Sequence, residues 1–489
     1  MSPLAIVLWS TFGGLFIATA AVLILLPSRY EKPSAATSGK ASVSVQVLVL
    51  GDIGRSPRMQ YHALSIARHG GTVDIVGYHE SSPHPDLLAS PNITIRALAA
   101  PPKILRTPSI PFLISGPLKV LWQVGTLFIT LCYTTPASKW LLVQNPPSIP
   151  TLVVAMVVSI LRNTYLMIDW HNYGWTILAG TKGATHPFVS LSRAYERALA
   201  QAAPTANVTV THAMRRELQA SPWDVQTPIV TLHDRPAAIF RPLASASERV
   251  AFLSALPATQ AHAASILSGA TRLVVSSTSW TPDEDFSLFL GALEIYAAAT
   301  TTTTVPPPPN PPTRSHADLL VVITGKGPQK AHYEARIRAL EDGGRLRGVR
   351  VVTAWLSVSE YAGLLRSADL GVCLHTSSSG VDLPMKVVDM FGSGLPVVAY
   401  SAYASFGELV REGVNGRGFE TADELARLLS RLLSSSSSSS SSAGSGSGSG
   451  GGSSDNELAV LRKGAVAESE LRWDEEWDRV LGRVFGFTE

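Results

Sequence analysis

Apolar residues fall along the chain in two alternating forms. Short unbroken runs such as VSVQVLVL, TVDIVGY, WLLVQN, TYLMIDW and PIVTL have the character of strands buried on both faces. Between them lie stretches with three-to-four spacing, such as SPRMQYHALSIARHG and LSRAYERALAQAAP, which predict amphipathic helices. Strand and helix in strict alternation imply a parallel, doubly wound α/β domain, placed at 43–243. The order restarts past PIVTLHDRPAAIFRPL with TRLVVSS, ADLLVVIT, VRVVTAW, ADLGVCL and LPVVAY, giving a second such domain at 244–433. Within it, Ser357 and Glu360 have the spacing of a helix capping box.

The pattern breaks in two places. TTTTTVPPPPNPP, in an insertion at 300–313, and a Ser/Gly tract at 434–454 contain too little apolar surface to pack. After the tract, 455–489 is again helical, with Trp473, Trp477 and Val480 on one face, and is expected to clamp back onto the body.

At the N-terminus, Leu4 to Leu26 is uncharged and about long enough to span a bilayer. It continues past Ala18-Thr19-Ala20 and lacks a basic leader, which favours an anchor over a cleaved signal. Positive charge follows it at Arg29, Lys32 and Lys40, so 1–3 should be lumenal, 27–42 a tether, and the rest cytosolic. On that topology the sequons at Asn92 and Asn207 stay unglycosylated. Lys103 to Tyr133 is also apolar but broken by Pro108, Pro111 and Pro117. An interfacial surface and a buried helix are both open readings of it, and the mean hydropathy of +0.18 fits either.

Charge and cysteine content exclude several classes. Forty basic and 37 acidic residues give a net charge of +3, and no nucleic-acid motif occurs. Cys132 and Cys373, far apart in apolar surroundings, exclude a disulfide framework or a cysteine zinc site and suit a reducing compartment.

Candidate chemistry gathers at the C-terminal ends of the strands. In LHTSSSGVDLPMKVVDMFGSGLPVVA, a small-residue loop leads into a helix near Pro384, an arrangement that directs unpaired N–H groups at an anion, with Lys386 adding charge. An ordinary βαβ turn is the competing reading. GDIGRSPRM is not a P-loop but offers Arg55, Arg58 and a helix start near Pro57. In DWHNYGW, Asp169 and His171 are candidates for taking a proton from an attacking hydroxyl.

Together GDIGRSPRMQYHA, DWHNYGW, HDRP, SSTSWTPDEDF, TGKGP and the Leu374–Ala399 stretch resemble the chitobiosyldiphosphodolichol β-mannosyltransferases. The likeness runs from Val45 to about Phe419 and resumes in WDEEW. It implies the GT-B fold: two Rossmann-like domains with the site in their cleft, plus one transmembrane helix. It also implies transfer of mannose from GDP-mannose to dolichyl-diphosphate chitobiose (GlcNAc2), with inversion to a β-1,4 linkage, on the cytosolic face of the endoplasmic reticulum.

By the resemblance, donor contacts fall on Thr278, Ser279, Trp280, Gly325, Gly327, Ser378, Ser379, Gly380, Asp382, Leu383, Pro384, Met385, Lys386 and Asp389. Acceptor contacts fall on Gly51, Asp52, Gly54, Arg55, Ser56 and Arg58, and the base is Asp169 or His171. Asp389 matches the second acid of the general GT-B pattern, whereas Asp382 is one residue away from the first. The mechanism requires no cofactor or metal; stimulation by a divalent metal and a complex with other mannosyltransferases stay open. So do two alternatives: a GT-B enzyme with another donor, and an inactive scaffold.

Overall fold

The computed structural model describes residues 29–31, 43–106, 111–202, 204–299, 316–434 and 454–487, with positions 14 and 17. Apart from those two positions, the anchor expected at 4–26 lies outside the described residues, as do the Thr/Pro insertion and the body of the Ser/Gly linker. The chain forms two compact units. The first takes the described residues up to Leu232 together with Trp477 onward, and the second runs from His233 to Glu476.

In the first unit seven parallel strands lie in the order β3-β2-β1-β4-β5-β6-β7. They are β1 (Ser44–Asp52), β2 (Thr72–Tyr78), β3 (Ile93–Ala97), β4 (Trp140–Asn145), β5 (Tyr165–Trp170), β6 (Ala206–Thr209) and β7 (Ile229–Thr231). The central β1, β4 and β5 are apolar on both faces because helices cover both. Among these helices are α1 (Pro57–Arg68), α2 (Phe112–Ile129), α3 (Thr151–Arg162), α4 (Gly174–Lys182) and α5 (Pro187–Ala202). The sheet brings the ends of β4 and β5 side by side, with Asn145 opposite Trp170.

The apolar stretch around α2 is buried along part of its surface and exposed along the rest. Leu127, Leu131 and Cys132 are buried, while Ile114, Leu118, Leu121 and Ile129 face solvent. Ile114–Thr134 is long and apolar enough to cross a membrane, and it is mostly unburied. Its C-terminal end is fixed by Arg162, whose Nη1 donates to the carbonyls of Leu131, Cys132 and Thr135 at 2.7, 2.9 and 2.8 Å. A buried guanidinium thus meets carbonyls that a helix end leaves without partners. Asn207 of the second sequon is fully buried in β6 and accepts from the Trp170 indole at 2.9 Å, so a glycan there is incompatible with the folded unit.

The second unit has six parallel strands in the order β10-β9-β8-β11-β12-β13. They are β8 (Thr271–Ser277), β9 (Asp318–Thr324), β10 (Val349–Ala354), β11 (Leu370–Cys373), β12 (Val397–Tyr400) and β13 (Gly416–Phe419). Helix α6 (Phe286–Ala299) packs on one face, and α7 (Val358–Ser367) and α8 (Met385–Gly392) on the other. The expected capping box of Ser357 and Glu360 is present at α7.

The division between the units falls after Leu232, ahead of the domain boundary placed at 243/244. Phe240 belongs to the second unit's core, and Pro236 sits so close to Gly392 that a Cβ there would lie 2.3 Å away. The C-terminal helices also divide. Leu458, Leu461 and Ala465 of α9 (Ser454–Ser469) enter the second unit's core, whereas the chain from Trp477 belongs to the first.

Candidate active site

In the first unit the candidate residues surround Asp169, the penultimate residue of β5, which is completely buried. Arg58, on the first turn of α1, approaches with Nε 2.9 Å from Oδ2 and Nη2 3.0 Å from Oδ1, and its Nη1 donates to the Leu232 carbonyl at 3.0 Å. His62, one turn further along α1, places Nε2 3.1 Å from Oδ2, and His171 places its Nε2 2.8 Å from the same oxygen. Burial works against the charge on Asp169, but Arg58 and the two imidazoles outweigh it and hold the carboxyl well below its ordinary range.

Two sequence expectations change here. Arg58, placed near an acceptor diphosphate, is 5% exposed and turned inward onto Asp169. Asp169 itself has no free face to offer a hydroxyl, because its oxygens are occupied by donors and are sealed from solvent. Of the two base candidates only His171 is accessible, at 24% exposure. With Nε2–H donating to the carboxylate, Nδ1 is the nitrogen left with a lone pair.

The neighbouring loops are built just as tightly. Glu196 of α5, an acid that motif reading passes over, accepts from Asn145 Nδ2, Ser148 Oγ and the backbone N–H groups of Gly174 and Trp175 at 2.6–3.0 Å. It thereby ties the end of β4 to the start of α4 and fixes the loop that carries His171. Beside that loop Pro146, Pro147, Ile149, Gly174, Ile177 and Leu178 line an apolar hollow of about 430 Å³.

In GDIGRSPR, Asp52 accepts from the N–H groups of Gly54, Glu80 and Ser81 and from the Ser81 hydroxyl. Burial pushes the other way, but these bonds, Ser81 first, keep its carboxyl below the usual value. Gly54 is required because a Cβ would lie 2.6 Å from the Ser81 carbonyl oxygen. Arg55 is 82% exposed and is the arginine of this loop that faces solvent.

In the second unit the loops after β8, β9 and β11 converge. Thr278 and the Ser279 N–H both donate to Glu284 Oε2 at 2.7 Å, and the Trp280 N–H donates to Thr278 Oγ1 at 2.7 Å. Trp280 is fully buried against Phe286 and Tyr333, with a backbone φ of +49°, so its ring is part of the core and not an open contact surface. A Cβ at Gly325 would stand 1.8 Å from the Thr278 carbonyl oxygen and one at Gly327 1.7 Å from that of Ser279. These glycines therefore let two loops pack together.

The stretch from Ser377 to Lys386 forms a separate turn. Gly380 has φ +77°, donates to Ser377 Oγ at 2.7 Å and has open space beside its Cα. Ser377 also donates to Asp382, which is 7% exposed and lies 3.4 Å from His375 Nε2, while Ser405 donates to the Asp382 carbonyl at 2.6 Å. Helix α8 then starts behind Pro384, whose carbonyl accepts from the Val387 N–H at 2.9 Å but which supplies no side-chain cap for the N–H groups of Met385 and Lys386. Lys386, expected to add positive charge, is paired with the buried carboxylate of Glu284, an acid inside SSTSWTPDEDF to which motif reading gave no role. Asp389, one turn into α8, is raised to about 8 by burial.

Comparisons with known proteins agree with this architecture. Residues 288–435 match the family described as glycosyl transferases group 1. Sucrose-phosphate synthase from Thermosynechococcus elongatus superposes with a TM-score of 0.59 at 14% identity, covering 91% of this chain and 98% of its own, which establishes the GT-B fold. The chitobiosyldiphosphodolichol β-mannosyltransferase of Arthroderma benhamiae is 43% identical over 486 residues, covering 99% of this chain and 100% of that one. A protein of Arabidopsis thaliana named UDP-glycosyltransferase TURAN is 41% identical over 412 residues, 78% of this chain and 86% of that one. With a relative this similar over its full length, the chain belongs to the chitobiosyldiphosphodolichol β-mannosyltransferase family.

Proposed function

We propose that this hexosyltransferase moves mannose from GDP-mannose to the 4-hydroxyl of the distal GlcNAc of dolichyl-diphosphate chitobiose, with inversion, as a step of dolichol-linked oligosaccharide synthesis. The names of its relatives support the role in dolichol-linked mannosylation. The observation that carries the chemistry is the pairing of partly exposed His171 with buried Asp169 at 2.8 Å.

In this reading His171 is the base and Asp169 its orienting partner. Nδ1 of His171 takes the proton from the acceptor hydroxyl as that oxygen bonds to C1 of mannose. The C1–O bond to the diphosphate breaks in the same displacement, and GDP leaves with the electron pair. Inversion follows from a single in-line step. The uncapped N-terminus of α8 and the turn at Gly380 supply fixed donors for the developing diphosphate charge. Lys386, held by Glu284, is a positioned N–H donor and not an unneutralised charge. Arg55 is the exposed cation suited to the acceptor's diphosphate.

The solvent-facing side of α2 is suited to rest on a bilayer, which fits a lipid-linked acceptor. We place the enzyme on the cytosolic face of the endoplasmic reticulum, held by the anchor at 4–26, in keeping with the positive charge that follows it.

The test is incubation of the purified protein with GDP-mannose and phytanyl-diphosphate chitobiose. A β-linked mannosyl product is expected, and its absence overturns the proposal. The name of the Arabidopsis relative favours a second reading with a UDP-sugar donor. In competition, excess UDP-glucose should leave turnover of GDP-mannose unchanged; displacement would favour the second reading.

A further inference from the structure

The hydrogen bonds behind His171 do not stop at Asp169. His62 also meets Asp169 Oδ2, and on its other side His62 Nδ1 lies 3.0 Å from the indole Nε1 of Trp477. Both rings are fully buried. An indole N–H can only donate, so Nδ1 of His62 is the unprotonated nitrogen. Nε2 then carries the proton and donates to Asp169. Burial lowers the His62 pKa and favours this neutral ring.

Asp169 and the far end of the chain hold this tautomer from opposite sides. Trp477 is stacked against Phe485 at 5.7 Å and His69 at 5.8 Å, and Asp478 binds His69 Nε2 at 2.7 Å and Arg68. Lys139 adds a bond to the Phe485 carbonyl at 3.4 Å. These contacts hold the indole N–H in place on His62.

We propose that Trp477 is a positioning residue for the transfer, acting through His62 and Asp169 on His171. By donating to Nδ1, it braces the His62 ring from behind with Nε2–H on Asp169, and so keeps the carboxylate surrounded by donors and in register with His171. Without the indole donor, Nδ1 loses this hydrogen bond inside the core and the ring loses its brace. The ring then shifts on Asp169, and the carboxylate that orients His171 moves with it. The inference rests on His171 being the base.

The test uses the full-length enzyme in kinetics with both substrates. Trp477→Phe preserves the aromatic stack and removes only the donor. It should lower kcat about tenfold, on the scale of one hydrogen bond to a charged network, with both KM values and the thermal midpoint little changed. In a His171→Ala background the same substitution should cause no further loss, because a residue that acts through His171 has nothing left to act on.

His62→Gln, whose amide can donate to Asp169 and accept from Trp477, should keep most of the turnover that His62→Leu loses. If Trp477→Phe unfolds the protein, this Gln/Leu contrast decides the matter. Wild-type kcat in Trp477→Phe, an equal further loss in the His171→Ala background, or equal activities for His62→Gln and His62→Leu would overturn the inference. If instead His171→Ala turns over normally, the base assignment itself has failed.

Discussion

The two units present their candidate residues by opposite means. In the first, everything depends on which side chain is present: Arg58, His62 and His171 converge on one buried carboxylate. In the second, much depends on a side chain being absent, since Gly325 and Gly327 lie under carbonyl oxygens that leave no room for a Cβ. Charged groups at the first site are locked by one another, whereas at the second several donors are backbone N–H groups. A buried charge network fixes one reactive group in one orientation and tolerates little exchange. Backbone donors suit a diphosphate, whose charge is spread over several oxygens.

Breaking the first site should have the largest effect. His171→Ala is expected to lower kcat about a thousandfold with little change in donor KM, since general-base contributions are of that order. Steady-state kinetics with each substrate varied would check this. Arg58→Ala comes next, because it strands a buried carboxylate and removes about 3–5 kcal/mol from the first unit. Urea unfolding followed by hydrogen exchange, read separately for peptides of each unit, should show the loss in the first.

The contrasting change in the second unit is Gly327→Ala, which needs no charge to do harm. The new methyl must push Ser279 away, and the donor KM should rise about tenfold while kcat at saturating donor falls less.

The smallest effect separates the units by pH. Asp169 and His62 both have lowered pKa values in the folded state, so the unfolded chain binds more protons. The stability they contribute is lost as pH falls, below about 6.5 for His62 and below about 4 for Asp169. Asp389, raised to about 8, has the reverse sign: the folded state holds the extra proton, and stability falls as pH rises from about 4 to about 8. Asp389→Asn should therefore raise the second unit's thermal midpoint by about 2 °C or more at pH 8.5 and by much less at pH 5, near the foot of that window. Scanning calorimetry at the two pH values measures this.

Much of the fold was legible from local pattern. Buried parallel strands appear as unbroken apolar runs, and the helix starts near Pro57 and Pro384 lie where their residue types predict. The capping box at Ser357 and the closeness of Asp169 to His171 follow from residues only a few positions apart. The site was legible as motifs but not as roles. Arg58 in a glycine loop has the look of an anion ligand, yet it is the counterion of a carboxylate 111 residues away. Glu196 lies in no recognisable pattern and Glu284 carries no mark of its role within SSTSWTPDEDF, because what makes them important is the set of backbone and side-chain donors that the folded chain brings to them.

By itself, then, the sequence determined the two doubly wound halves, the strand ends where chemistry gathers, the family, and the short list of residues that could act. Periodicity and turn chemistry are local, and a strand or helix start needs only its neighbours to declare itself. Tertiary structure alone decided which of those residues is available. Whether a charge is spent or free depends on partners brought together from afar, as with the 415 positions between His62 and Trp477, and on burial that no window of sequence contains. For that reason Asp169 and His171, equal candidates two residues apart, become a sealed carboxylate and the imidazole that it orients.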